Sequence, residues 1–150
     1  MLILRRGISR MIKGYVIISS AGTLIYQKFF EDVSISIEKA SAFAGGIFAL
    51  DMFMKNIFGK NIDEVIAGDW KLNFDIRENA VIVGVLASKH DNLARAYAHK
   101  IADIIEKSFS NEDLITDFKI GEKIGKVLED KLIDEEIKAS NEAENKIKYA

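Results

Sequence analysis

The sequence predicts a single α+β domain with its elements in the order β-β-α-β-β-β-α-α. Three observations carry that expectation. Short segments rich in β-branched and aromatic residues stand at both ends of a long stretch of helical period. The chain has 150 residues, close to the commonest size for one domain. Its 49% hydrophobic and 29% charged residues are ordinary proportions for a globular fold.

Ile12 to Ser19 (IKGYVIIS) and Thr23 to Phe30 (TLIYQKFF) read as two strands, with Ser20-Ala21-Gly22 as the reversal between them. Gly22 can adopt the positive φ that a tight turn demands. From about Ser34 to Phe58 the period changes. Phe43, Ile47, Leu50, Met54 and Ile57 recur at four, three, four and three, so they are expected on the inward stripe of a long helix, with Gly59 closing it. Asp51 falls near that stripe, where it reads as a solvent-reaching edge position in preference to a hydrogen-bonded buried carboxylate.

Asn61 to Gly68 reads as a connection and a short strand. Trp70 to Ile76 then alternates apolar and polar residues, which predicts a strand with Trp70, Leu72, Phe74 and Ile76 toward the core and a wet opposite face. Ala80 to Ala87 (AVIVGVLA) is continuously apolar, the pattern of a strand in the middle of a sheet. Asp91 or Asn92 can cap a helix whose stripe is Leu93, Tyr97, Ile101, Ile104, Ile105 and Phe109. Ser110 to Asp117 breaks the pattern. A last helix, about Ile120 to Lys138, buries Ile124, Val127, Leu128 and Leu132.

The domain is therefore expected over residues 11–138, with 1–10 a weakly ordered N-terminal extension and 139–150 a C-terminal tail. Met1 to Arg10 has two arginines after only three apolar residues, unlike a secretion signal. No apolar run approaches the roughly 20 residues needed to span a bilayer, so any membrane association is expected to be peripheral. With 21 Lys+Arg against 23 Asp+Glu, the net charge of −2 gives no overall positive field for nucleic acid. The absence of cysteine removes disulfides and thiolate metal sites, and suits a cytoplasmic location.

Gly14-Tyr-Val-Ile-Ile-Ser-Ser-Ala-Gly-Thr-Leu-Ile-Tyr26, the long helix containing Phe43, Ala67-Gly-Asp-Trp-Lys-Leu-Asn-Phe74 and the Val81 strand together resemble the longin-like branch of the longin and roadblock superfamily. They also look like the small longin-type proteins of archaea. The resemblance spans roughly Met11 to Lys138. It implies a five-stranded antiparallel sheet with one long helix on one face and the later helices on the other. It further implies a non-enzymatic adaptor or regulator in trafficking or signalling, whose partner is a small GTPase or a homo- or heterodimer subunit.

Residue chemistry offers little to an enzyme. No Gly-x-x-x-x-Gly-Lys-[Ser/Thr] occurs, and Gly121-Glu-Lys-Ile-Gly-Lys126 lacks that spacing and falls in a helical pattern, where it reads as charged helix surface. His90 and His99, near Asp91 and Asp103, form no ligand cluster and read as exposed structural residues. The pairs Glu31-Asp32, Asp63-Glu64 and Glu135-Glu136 are adjacent in sequence, which in a strand or helix points the two carboxylates in different directions, and they read as solvated. Ser34, Ser36 and Ser41 lack a partner base and read as caps or packing residues. No catalytic, cofactor or metal residue is assigned. An enzyme would need a constellation assembled from distant positions.

What stands out is the other side of the long helix. Ala42, Gly45, Ala49, Met52 and Phe53, with Gly46 at the border, make it apolar where a surface helix is normally polar. These six residues are the candidate partner-binding site, for a second protein or for self-dimerisation into a larger complex. The competing cover is the N-terminal extension or the C-terminal tail folded back. Given the missing ligand clusters and phosphate loop, the purified chain is expected to hold no stoichiometric zinc and to release no phosphate from nucleoside triphosphates. Elemental analysis and a phosphate-release assay check this, and turnover abolished by a point mutation in this chain would overturn it.

Overall fold

A computed structural model describes residues 12–30, 35–78 and 80–132. The expected extension at 1–10, the tail at 139–150 and the last turns of the final helix lie outside the described residues. The elements are β1 (Ile12–Ser19), β2 (Leu24–Phe29), α1 (Ile37–Phe58), β3 (Glu64–Ala67), β4 (Trp70–Ile76), β5 (Val81–Ser88), α2 (Ala94–Ser108) and α3 (Asn111–Thr116). A further helical stretch, α4, runs through residues 120–132. The expected order holds, with six residues of the anticipated break at 110–117 wound into α3. Ser110 makes that possible, its Oγ accepting from the Asp113 N–H at 3.1 Å.

All five strands join one antiparallel sheet in the order β2-β1-β5-β4-β3. β5 is central, as its unbroken apolar run predicts. Tight pairing begins at the β1–β2 hairpin, where Ser19 Oγ accepts from the Ala21 and Thr23 N–H groups at 3.2 and 3.1 Å. Gly22 there has φ 87°, and a Cβ on it would come within 2.8 Å of the Phe48 ring on α1. The turn thus needs glycine for conformation and for the helix above it.

Each face of the sheet carries its own apolar cluster. One is formed by Val16, Ile18, Phe74 and Ile82 with Ala44 and Ile47 of α1. The other is formed by Tyr15, Ile17, Val81, Val83, Val85 and Ala87 beneath α2 and α4. Both major helices meet the sheet through small residues. α1 buries Ala40, Ala44, Ile47 and Asp51, and α2 buries Ala94, Ala98, Ile101, Ala102 and Ile105.

That choice corrects the expected inward stripes. Leu50 is 38% exposed and Ile57 57% exposed, while Phe43 and Met54 are half-buried. At about 100° per residue, α1 is turned by roughly 70° from the orientation its largest side chains suggest. Alanine lets the helix axis lie closer to the strands, and dispersion rewards the shorter distance. Asp51, expected at an edge, is instead only 7% exposed and accepts from the Ile62 N–H at 3.0 Å, tying the α1–β3 connection to the helix. Leu93 is likewise outside the core, 55% exposed, because Asp91 fixes the start of α2. The Asp91 carboxylate accepts from the Leu93 and Ala94 N–H groups at 2.6 and 2.7 Å.

Strand β4 departs from expectation on both faces. Phe74 is buried and Leu72 and Ile76 are half-buried, but Trp70, at the strand's start, is 41% exposed. The supposedly wet face holds Asn73 and Asp75, which are 4% and 7% exposed because α2 crosses over them.

The Gly121-Gly125 pair proves to be a packing device. Glu122, Lys123 and Lys126 are exposed as expected, but a Cβ on Gly121 would stand 2.6 Å from the Ile25 carbonyl and one on Gly125 2.9 Å from the Tyr26 ring. These glycines bring α4 against β2. Gly121→Ala is therefore expected to destabilise the fold by about 1–3 kcal/mol, because the obstructing atom belongs to backbone. Urea denaturation reads the loss, and a midpoint unchanged from the parent would show that α4 shifts freely.

Candidate protein-docking face

Helix α1 is held at both ends by local chemistry. Ser36 caps it, its Oγ accepting from the Lys39 N–H at 3.3 Å. Gly59 ends it at φ 70°, donating its N–H to the Lys55 carbonyl at 2.8 Å. Between the caps, Ala40, Ala44, Ile47 and Asp51 press on the sheet.

Ala42, Gly45, Gly46, Ala49, Met52 and Phe53 are all exposed. At about 100° per residue they share an arc of roughly 120°, centred nearly opposite the buried row. Met52 is 47% exposed and Phe53 56%. The outward turn of Leu50 and Ile57 widens the face beyond what the sequence indicates. A hint was available, since a buried Asp51 would itself rotate the helix enough to expose both.

The two glycines have no steric reason within the described residues. A Cβ added at Gly45 or Gly46 would meet nothing within 4 Å. Each costs a helix interior roughly 0.5–1 kcal/mol relative to alanine, and no described contact offsets it. Their effect is a shallow saddle between Ala42 and Ala49, bounded by the larger Met52 and Phe53. Lys55, beyond it, pairs with Glu78, which raises the Lys55 ammonium and lowers the Glu78 carboxyl from their usual ranges through the shared hydrogen bond.

The architecture is a five-stranded antiparallel sheet with the long helix on one face and the later helices on the other, as the resemblance in sequence implies. That statement rests on strand order, antiparallel pairing and the placement of α1 between β2 and β3. No protein-family model matches the chain, and no curated protein matches it. Among solved structures, it is similar to a Roadblock/LC7 domain from Streptomyces avermitilis at 16% identity and TM-score 0.47, covering 61% of this chain and 79% of that one. It is also similar to a chain in a homology model of the full-length AP-3 complex in a stretched open conformation, at 12% identity and TM-score 0.44, covering 91% and 99%.

Away from α1, a titratable cluster among the described residues sits under α2. Arg77 donates through Nε and Nη2 to the two oxygens of Asp75 at 3.1 and 3.0 Å, and its Nη1 meets Asp103 at 2.8 Å and Glu106. His99 Nδ1 meets Asp75 Oδ2. His90 and His99 are both exposed, as expected, and His99 is drawn to β4. Among the described residues, no group of three or more His, Cys, Asp or Glu could hold a metal ion. The cluster locks α2 to the sheet.

Burial acts to raise the Asp75 carboxyl, but hydrogen bonds from Arg77 and His99 outweigh it and hold the group below its usual range. The same contact, chiefly the bond to Asp75, raises the Arg77 guanidinium. A depressed folded-state pKa contributes stability above the unfolded-state value and loses it as pH falls through the folded one. Between about pH 5 and pH 2, the unfolding free energy of Asp75→Asn should consequently fall less steeply than that of the parent. Arg77→Ala, which leaves His99 as the remaining side-chain partner of the carboxylate, should cost about 1–3 kcal/mol at neutral pH. Denaturation followed across that pH range checks both, and parallel curves for parent and Asp75→Asn would refute the linkage.

Proposed function

We propose that this chain works by docking another protein, as a non-catalytic adaptor or regulator, through the outer face of α1. The observation that carries this reading is the continuous exposed strip of Ala42, Gly45, Gly46, Ala49, Met52 and Phe53, with Leu50 and Ile57 beside it. Large apolar side chains left contiguous in water favour association, and the glycine saddle admits an approaching backbone. Met52 and Phe53 are the anchors, since adaptable and aromatic side chains dominate binding energy at such surfaces.

The partner is a small GTPase or a related longin or roadblock subunit. This choice follows from the resemblance in sequence to longin-like domains and is a proposal by analogy of fold. A second reading, self-dimerisation, uses the same face and is favoured by its small central residues. No helix among the described residues is long and apolar enough to cross a membrane.

Ala49→Glu places a charge at the centre of the strip. It is expected to weaken association by about a hundredfold or more, since an unpaired buried charge costs several kcal/mol. The thermal melt should stay unchanged, because Ala49 is exposed and lies opposite the core row. Gly45→Ala separates the two roles of the saddle. It should stabilise the isolated fold by up to about 1 kcal/mol while weakening association, because its Cβ has open space in the free chain only.

Light scattering of the eluted protein, alone and mixed with purified small GTPases, reads association. Loss of a complex with an intact melt supports the docking face. A collapsed melt in a chain that was monomeric from the start shows instead that the face is internal.

A further inference from the structure

At the hairpin end of the sheet, on the side of its β2 edge, a cavity of about 720 Å³ opens between β2 and the corner joining α3 to α4. That volume falls within the roughly 300–1,000 Å³ typical of ligand sites. Leu24, Ile25, Leu114, Ile115, Phe118 and Ile120 give it an apolar lining. Local bonds set its walls. Ser19 Oγ shapes the β1–β2 turn, Gly121 brings α4 against the Ile25 carbonyl, and Asp117 Oδ1 accepts from the Lys119 N–H at 2.9 Å where α3 gives way to α4. A cleft shaped in advance loses little free energy to ordering itself when it is filled.

Two of the lining residues stand largely in water, Ile115 at 65% exposure and Phe118 at 92%. A compact ligand filling the cavity would leave them there. An occupant that continues past the mouth, as a polypeptide does, removes both from solvent, and burial of such apolar area is what favours association.

Charge narrows the choice further. The charged residues of the described lining are Asp117 and Glu122. Residues 110–123 carry four carboxylates against two lysines, and both lysines are engaged. Lys123 pairs with Asp117, and Lys119 Nζ stands 5.8 Å from the centroid of the Phe118 ring. Glu122 is exposed and has no hydrogen bond or ion pair among the described residues. An anionic occupant would meet carboxylates at this rim, whereas a Lys or Arg gains a partner at Glu122.

We infer that this cleft docks a short segment of a partner protein, with two or three aliphatic side chains in the cavity and an adjacent Lys or Arg at Glu122. Ile115 and Phe118 flank the segment where it leaves the cavity. The site lies on the layer opposite α1, so it stands or falls independently of docking there. A chain with both surfaces holds two proteins at once.

Fluorescein-labelled peptides test this on the full-length chain by fluorescence anisotropy, each with three positions drawn from Leu, Ile, Val and Met followed by two arginines. The best of them should bind saturably with a Kd of about 100 µM or tighter. Phe118→Ala should weaken binding about tenfold. Glu122→Lys should weaken it by about as much and shift the preference to peptides carrying two glutamates in place of the arginines. Both positions are exposed, so thermal melts should stay unchanged, and Ile66→Ala on the opposite edge should leave the affinity as it is. Equal affinity across the three variants places the peptide elsewhere and overturns the inference without touching the α1 reading. No saturable binding below about 1 mM overturns it outright. A parent dimer that Phe118→Ala splits makes the occupant a second copy. Because the chain has no cysteine, a dye on Ala21→Cys, at an exposed position of the lining, reports on the cleft alone. A dye shielded from iodide in the peptide-free monomer shows the chain itself filling the cleft, and either of these last two results also overturns the inference.

Discussion

Strand β5 is apolar toward both faces of the sheet, with Val81, Val83, Val85 and Ala87 on one side and Ile82 on the other. A central strand of that composition is stable only when both faces are kept from water. Helix α1 answers the requirement on one face, and α2 and α4 answer it on the other. The requirement also explains why α4 comes so close to β2. Gly121 and Gly125 remove the two Cβ atoms that would hold it away, which closes the second layer over an edge strand.

Polar anchors then fix where those layers sit. Asp51 holds the α1–β3 connection through Ile62, Asp91 sets the first turn of α2, and Asp75 ties β4 to α2 through Arg77 and His99. None of these carboxylates is isolated, as a charge in a low-dielectric interior must not be. Their value is positional. Each converts a helix free to slide or rotate on an apolar sheet into one with a defined start or rotation, and in α1 that rotation determines which side chains reach solvent.

The functional proposal follows from this geometry. Because alanines and Asp51 take the inward row of α1, its bulky residues are displaced toward the flanks and outward, and Gly45 and Gly46 come to the crest. The same packing leaves two further exposed apolar side chains, Ile115 and Phe118, at the opposite layer beside Asp117 and Glu122. Two surfaces of different character result, one wide and nearly uncharged, the other a narrow cleft of negative sign. Different occupants fit them for that reason.

Much of the fold was legible in the residues because local periodicity depends on the chain alone. β-Branched and aromatic enrichment placed β1 and period-two alternation placed β4 to the residue, the unbroken run from Ala80 identified the central strand, and Gly22 and Gly59 marked a turn and a helix end. The six candidate docking residues were recognisable as an apolar second side of a helix, and tertiary structure left them all exposed. Rotation was not legible, because hydrophobicity ranks Leu50 and Ile57 above Ala40 and Ala44, whereas close packing against a sheet prefers the smaller side chains. Nor was the burial of Asn73, Asp75 and Asp51, whose partners lie on other elements or arrive from a later loop. Sequence determined which segments become strands and helices, since that is settled by spacing within a few residues; only the tertiary structure decided which way each helix faces, since that is settled by the shape and hydrogen bonds of whatever it packs against.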